Sequence, residues 1–218
     1  MKKIFLSIIS NLISVCALAQ SAPNTYEAVE LGLSVKWATF NVGATKPEEY
    51  GDYFAWGESQ PKEVYDWVTY RHAFIKGGKL KSFTKYNLDA NLGEIDDMTE
   101  LKPEDDAASV NWGSDWRMPT MDEFDELRTK CKWTWSELNG VNGYRVEAEN
   151  GNWIFLPAGG SYYNEEHSFV GYYGYYRTST LGDKDSTYSY YFGFTSNNVE
   201  LTEIRRYYGI AVRAVKGE

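Results

Sequence analysis

An α+β domain is what the sequence predicts, and three features predict it. One strong helix signal spans 121–131, many short strand-like segments surround it, and a long irregular stretch fills 58–111. The helix signal begins at Thr120, with Glu123 three residues on, a T-x-x-E capping box. Asp122, Glu123, Asp125 and Glu126 suit the positive end of the helix dipole, and Lys130 and Lys132 suit the other end. Met121, Phe124, Leu127 and Cys131 recur at helical spacing, which places Cys131 in the core as a small apolar group.

The strands are read in chain order. Val29, Leu31, Leu33 and Val35 alternate with polar or small residues, so Val29 to Val42 begins as a strand. Tyr50 to Trp56 is a short aromatic segment closed by Gly57. Gly77-Gly78, Asn139-Gly140, Asn142-Gly143 and Asn150-Gly151 are turn signals. Tyr144 to Ala148, Trp153 to Leu156, Tyr188 to Phe194 and Gly209 to Val215 have strand character. No linker or fixed-period repeat divides 26–216, so one domain is expected, after a short tail at 20–25.

Residues 1–19 read as a secretory signal peptide. Lys2 and Lys3 precede an apolar run that ends in Ala17-Leu18-Ala19, an A-x-A cleavage pattern. The rival reading, lipid attachment at Cys16, is disfavoured by Val15, where a small residue is expected. The run is too short for a comfortable span, and no later segment reaches about 18 apolar residues, so no transmembrane helix is expected. Cleavage would leave Cys131 as the only cysteine and take the formal charge from -9 to -11. That charge argues against nucleic acid and for neutral or basic partners.

Chemistry is scarce. Ser161 follows Gly159-Gly160, but Tyr163 stands where G-x-S-x-G needs its last glycine. His72 and His167 have no partner at metal-ligand spacing and read as surface residues. Asp183, Asp185 and Thr187 copy the start of an EF-hand loop, yet Tyr188 replaces its glycine and Phe194 its bidentate Glu. Glu48-Glu49, Asp105-Asp106 and Glu165-Glu166 read as solvated acidic loops rather than a glycosidase pair. No metal, cofactor or catalytic residue is assigned, and the chain is expected not to be an enzyme.

The aromatic distribution is the strongest functional signal. All eight tryptophans lie at or before Trp153, while eleven of the eighteen tyrosines lie between Tyr162 and Tyr208. Tyr pairs occur at 162–163, 172–173, 175–176, 190–191 and 207–208. In a strand one member of a pair faces away from the other, so half of these rings should be core and half exposed. A Tyr/Asn/Arg-rich face is typical of adaptable binding surfaces, and a Tyr-rich β-core reads equally well. As a ligand face it would comprise Tyr172, Tyr175, Arg177, Ser179, Tyr188, Asn197, Asn198, Arg205, Arg206 and Tyr207, on loops near 172–179 and 196–207.

Five ordered blocks carry a resemblance: NVGATKPEEYGDYFAWGE (41–58), PEDDAASVNWGSDWRMPTMDEFDEL (103–127), IFLPAGG (154–160), GYYRTST (174–180) and RRYYGIAVRAV (205–215). They resemble the FISUMP-type "major paralogous domain" of exported proteins from gut-type Gram-negative bacteria. That family is similar to the C-type-lectin-like fold of formylglycine-generating enzymes and retroelement-diversified proteins. The resemblance implies one domain over 26–216 with a twisted antiparallel sheet, N- and C-terminal strands near each other, and a loop-rich ligand face. It carries over no catalytic residues. Arg177 departs from the pattern, since relatives usually have Trp there, and Gly209–Arg213 looks like the last core strand. The implied function is an exported, non-catalytic module that binds a glycan or a surface or secreted protein. A structural subunit of a surface assembly or adhesin is the alternative, and a polysaccharide-acting enzyme a lesser one.

Overall fold

The computed structural model describes residues 26–217, so the signal-peptide reading, the cleavage site, Cys16 and the 20–25 tail lie outside the described residues. Strands account for 39% of the structure and helix for 11%, a mostly β chain with few helices. No described helix is long and apolar enough to cross a membrane.

A five-stranded sheet holds the centre. Its order is Asn198–Arg205, Tyr188–Thr195, Gly174–Leu181, Ile210–Ala211, Tyr53–Phe54, antiparallel except where Tyr176 meets Ala211 in parallel. A four-stranded sheet joins the two ends of the domain in the order Ala28–Val29, Lys36–Ala38, Val215–Lys216, Trp116–Arg117. Val215 pairs with Trp37, so the N- and C-terminal strands are neighbours. A three-stranded sheet, Lys132–Leu138, Val141–Glu147 and Trp153–Pro157, completes the main core.

The expected helix runs Met121–Lys130, and its capping box is made. Thr120 Oγ1 accepts from Glu123 N at 3.2 Å, and Glu123 Oε2 accepts from Thr120 N at 2.8 Å. Arg117 holds the Glu123 carboxylate from outside at 2.7 and 2.5 Å. The buried face presents Phe124 and Leu127. Phe124 stacks on Phe192 of the central sheet, with ring centroids 4.7 Å apart, and meets Trp37 edge-on at 5.0 Å. Cys131 closes the helix half-buried against this core, and burial pushes its thiol up to about 11.

Several local expectations change. Leu31, Leu33 and Val35 are buried in alternation, yet 30–35 is not a strand. Gly32 has φ +70°, and the Glu126 carboxylate accepts from the Ser34 amide at 3.0 Å, which takes the place of a neighbouring strand. Asn142-Gly143 is not a turn but lies inside a strand. A Cβ at Gly143 would come within 2.3 Å of Leu156 O, so only glycine lets the adjacent strand approach. The stretch 58–111 is less irregular than expected: it contains the Ala73–Lys76/Lys79–Phe83 hairpin turned by Gly77-Gly78, and the Ala107–Trp112 helix.

Gly209–Arg213 is not one strand either. Ile210–Ala211 belongs to the central sheet and Val215–Lys216 to the terminal one, and Arg213 sits where the chain changes sheets. Its fully buried guanidinium donates to Asn41 Oδ1 at 2.9 Å, Ala38 O at 3.2 Å and Phe155 O at 2.9 Å. Burial pulls its pKa down to about 10, which leaves it charged at neutral pH.

Candidate functional site: an aromatic face

The alternation of the central strand decides which tyrosines face outward. Tyr176 points to the core, where its hydroxyl donates to Pro157 O at 2.8 Å. Tyr175, one residue earlier, points to the other face. Its cross-strand partner is Gly193. A Cβ there would lie 2.7 Å from the Tyr191 ring, so glycine lets Tyr191 lean toward Tyr175, at 5.4 Å between centroids.

From this pair an aromatic band spreads over the surface. Tyr173 stacks on Tyr175 at 5.9 Å, and Phe169 meets Tyr173 edge-on at 5.1 Å. A second group of rings lies on the turn that Arg177 holds through Arg206 O and Tyr208 O. Tyr208 stacks on Tyr163 at 5.2 Å and on Tyr207 at 5.1 Å, and Tyr207 meets Trp67 at 4.8 Å. Tyr172 is 73% exposed, Phe169 55%, Tyr163 45% and Tyr173 39%. Partial burial raises the pKa of Tyr175 and Tyr207 to about 12, so these hydroxyls stay protonated and can both donate and accept. The concavities of about 440 Å³ beside Ser34 and Asp122 and about 460 Å³ beside Tyr26 and Trp112 lie elsewhere.

The structure divides the ten residues expected at a ligand face. Tyr175 and Tyr207 belong to the band, and Tyr172 is exposed beside Tyr173 in the chain. Asn197 and Asn198 are exposed at the turn that follows Thr195, at the Gly174 end of the sheet. Tyr188 and Arg205 face each other at the opposite end, with the guanidinium 4.1 Å above the ring. The eight residues of Tyr188–Thr195 separate the two ends, about 3.3 Å per residue. Much of the expected surface is strand rather than loop, since Gly174–Leu181 and Asn198–Arg205 are both in the sheet.

Three of the ten are corrected outright: Arg177, Arg206 and Ser179 are buried. Arg177 donates to Phe54 O at 3.3 Å, Ser189 Oγ at 2.8 Å and Arg206 O at 3.2 Å, and also to Tyr208 O. It therefore ties the Tyr207-Tyr208 turn to the sheet and supports the aromatic face from beneath. Burial lowers its pKa to about 9, still protonated at neutral pH. Ser179 donates to Glu100 Oε2 at 2.6 Å. Arg206 lies among Trp56, Tyr70, Phe83 and Tyr86, with its guanidinium carbon 4.4 Å from the Phe83 centroid and 4.7 Å from that of Trp56. Arg205 and Arg206 are adjacent and of one type, and nothing in the sequence pattern marks Arg206 as the buried one. Tyr163, Tyr173, Tyr191, Tyr208, Phe169 and Trp67 are the band members not singled out by sequence, although four of them belong to the Tyr pairs.

His72, expected at the surface, is buried, as are Asp105 and Asp106. His72 Nε2 meets Gly57 O at 2.8 Å and stands 3.7 Å from Asp105. Asp105 accepts from Lys85 at 2.5 Å and Tyr86 at 2.7 Å. Asp106 caps the Ala107–Trp112 helix by accepting from Ser109 N and also accepts from Met118 N. Burial lowers the His72 pKa; the Gly57 carbonyl and Asp105 act against it, and Arg206 and Arg71 with it. A lowered folded pKa stabilises the fold above the ordinary value of 6.5 and loses that contribution as pH falls through 6.5 toward the folded value. Thermal melts between about pH 7 and pH 5 should show falling stability, and His72→Gln, which can still donate to Gly57 O, should flatten that fall. An unchanged slope in the variant would remove His72 as its source.

No family model, curated protein or solved structure matches the chain.

Proposed function

We propose that this chain is an exported, non-catalytic binding module of C-type-lectin-like architecture, which recognises a glycan or another protein through its aromatic face. One observation carries the reading: two groups of partly exposed, contacting rings, Phe169–Tyr173–Tyr175–Tyr191 and Tyr163–Tyr207–Tyr208, stand on a sheet-built support, and Arg177 of the central strand holds the turn that carries the second group. Rigid aromatic rings with hydroxyl tips offer large contact area at low entropy cost and stack on the apolar faces of sugars or on hot-spot side chains. The buried Arg177 fixes the turn that presents two of these rings, so the surface is organised before a ligand arrives.

The test is a glycan-array and surface-protein screen of residues 20–218, with and without calcium. Tyr173→Ala and Tyr208→Ala should each weaken the hit by roughly 10- to 100-fold, a loss of about 1.4–2.7 kcal/mol. The melting temperature should move little. A matching collapse in stability would make these rings core residues and sink the reading. No hit, together with a stable oligomer that buries the same rings, would assign the face to self-assembly.

A further inference from the structure

A second surface stands apart from the aromatic band. From Trp67 to Leu88 the chain has no Asp or Glu but contains Arg71, Lys76, Lys79, Lys81 and Lys85, although acids outnumber bases 31 to 22 overall. Lys85 is neutralised by Glu104 at 3.0 Å and Asp105 at 2.5 Å. Lys76, Lys79 and Lys81, all on the Ala73–Lys76/Lys79–Phe83 hairpin, are exposed and make no ion pair among the described residues.

Their arrangement works against the hairpin. Lys76 stands directly opposite Lys79 in the register, a like-charge pair that repels. Lys81 sits at the irregularity beside Phe74 and Ile75, which adds a third ammonium nearby. Phe74, opposite Ser82, turns outward and is 54% exposed, whereas Ala73, Leu80 and Phe83 pack inward on the core. A Cβ at Gly77 or Gly78 would meet nothing within 4 Å, so the space around the turn is open. Lysines on an exposed hairpin discourage edge-to-edge pairing, but that role explains neither the facing lysines nor the bare phenyl ring.

We propose that this hairpin binds an acidic polysaccharide, a uronate polymer, with Phe74 stacked on a sugar face and Lys76, Lys79 and Lys81 pairing its carboxylates. Charge complementarity selects an anion, and the chain's net charge of -9 selects its shape. A planar anionic membrane would confront the acidic body as well as the hairpin. A single polymer strand can follow the hairpin alone, where charges beyond the screening length of about 8 Å at physiological salt count little. This site does not depend on the aromatic face or on the ligand bound there.

Calorimetric titration of the full-length protein with polygalacturonate tests it, with the fully methyl-esterified polymer as the uncharged control. Saturable binding is expected at low salt, weakening as salt rises, with none to the ester. The Lys76→Ala/Lys79→Ala double variant should bind on the order of tenfold more weakly. Its melting temperature should be unchanged or raised, because a repulsive pair has been removed. Phe74→Ala should also weaken binding, and Tyr208→Ala should not, which separates this site from the aromatic face. Equal binding by the lysine variant would overturn the proposal. So would no binding to polygalacturonate or alginate at low salt, or binding to phosphatidylglycerol vesicles in place of either polymer.

Discussion

Arg206→Ala should lower the melting temperature by roughly 10 °C or more, the largest effect expected of any single substitution in the 205–208 segment. The Arg206 guanidinium has no exposed surface and makes four hydrogen bonds: Nε donates to Tyr70 Oη at 2.8 Å, Nη1 to Tyr86 O at 3.0 Å and Ser186 O at 2.9 Å, and Nη2 to Lys85 O at 3.2 Å. Truncation strands these acceptors in a dry site and opens a cavity among Trp56, Tyr70 and Phe83. Each stranded buried group costs about 1–3 kcal/mol and a large-to-small core change about 2–5 kcal/mol, so a total near 4 kcal/mol is a conservative expectation. Lysine should not rescue it, because one ammonium cannot span four acceptors arranged for a planar fork. Arg205→Ala, one residue away, loses the contact over Tyr188 and the hydrogen bond to Thr187 Oγ1, about 1–2 kcal/mol in all. Parallel melts of the two variants decide the matter: equal small shifts would contradict a structural role for Arg206.

Gly160→Ala should destabilise the chain by about 3 kcal/mol and impair the aromatic face in the same step. Gly160 has φ +65°, a left-handed conformation that alanine adopts only with strain. A Cβ there would lie 2.1 Å from Ser168 O and 2.9 Å from Val170 N, both backbone atoms that cannot swing aside. Gly160 N also donates to Tyr173 O at 2.8 Å, and Gly171 N to Ala158 O at 2.7 Å. The Phe169–Tyr173 segment is therefore docked directly against this glycine. Displacing it should raise Tyr fluorescence quenching by iodide and weaken ligand binding beyond what the stability loss explains. Gly151→Ala is the control, since its positive φ is shared but no atom lies within 4 Å of the added Cβ. Binding losses of the same size in both variants would refute the docking argument.

Much of the local structure was legible in the chain. The Thr120/Glu123 capping box and the Asn139-Gly140, Asn150-Gly151 and Gly77-Gly78 turns each rest on contacts a few residues apart. The errors share one cause. Leu31, Leu33 and Val35 alternate as strand residues do, but the partner that satisfies Ser34 is Glu126, 92 positions away. Asp105 and His72 read as surface groups because Lys85, Tyr86 and Gly57, which satisfy them, are supplied by the fold.

The sequence by itself determined many short strands around one capped helix, read as an α+β domain, and a concentration of tyrosine between 162 and 208 that marked the region of the aromatic face. Only the tertiary structure decided which of those residues meet solvent. Arginine is the clearest case: Arg205 and Arg206 are adjacent and identical in type, yet one lies over Tyr188 near the surface and the other is sealed among four aromatic rings. A guanidinium can be buried wherever enough carbonyls converge on its five donors. Those carbonyls come from Lys85, Tyr86 and Ser186, brought to Arg206 only when distant segments pack together.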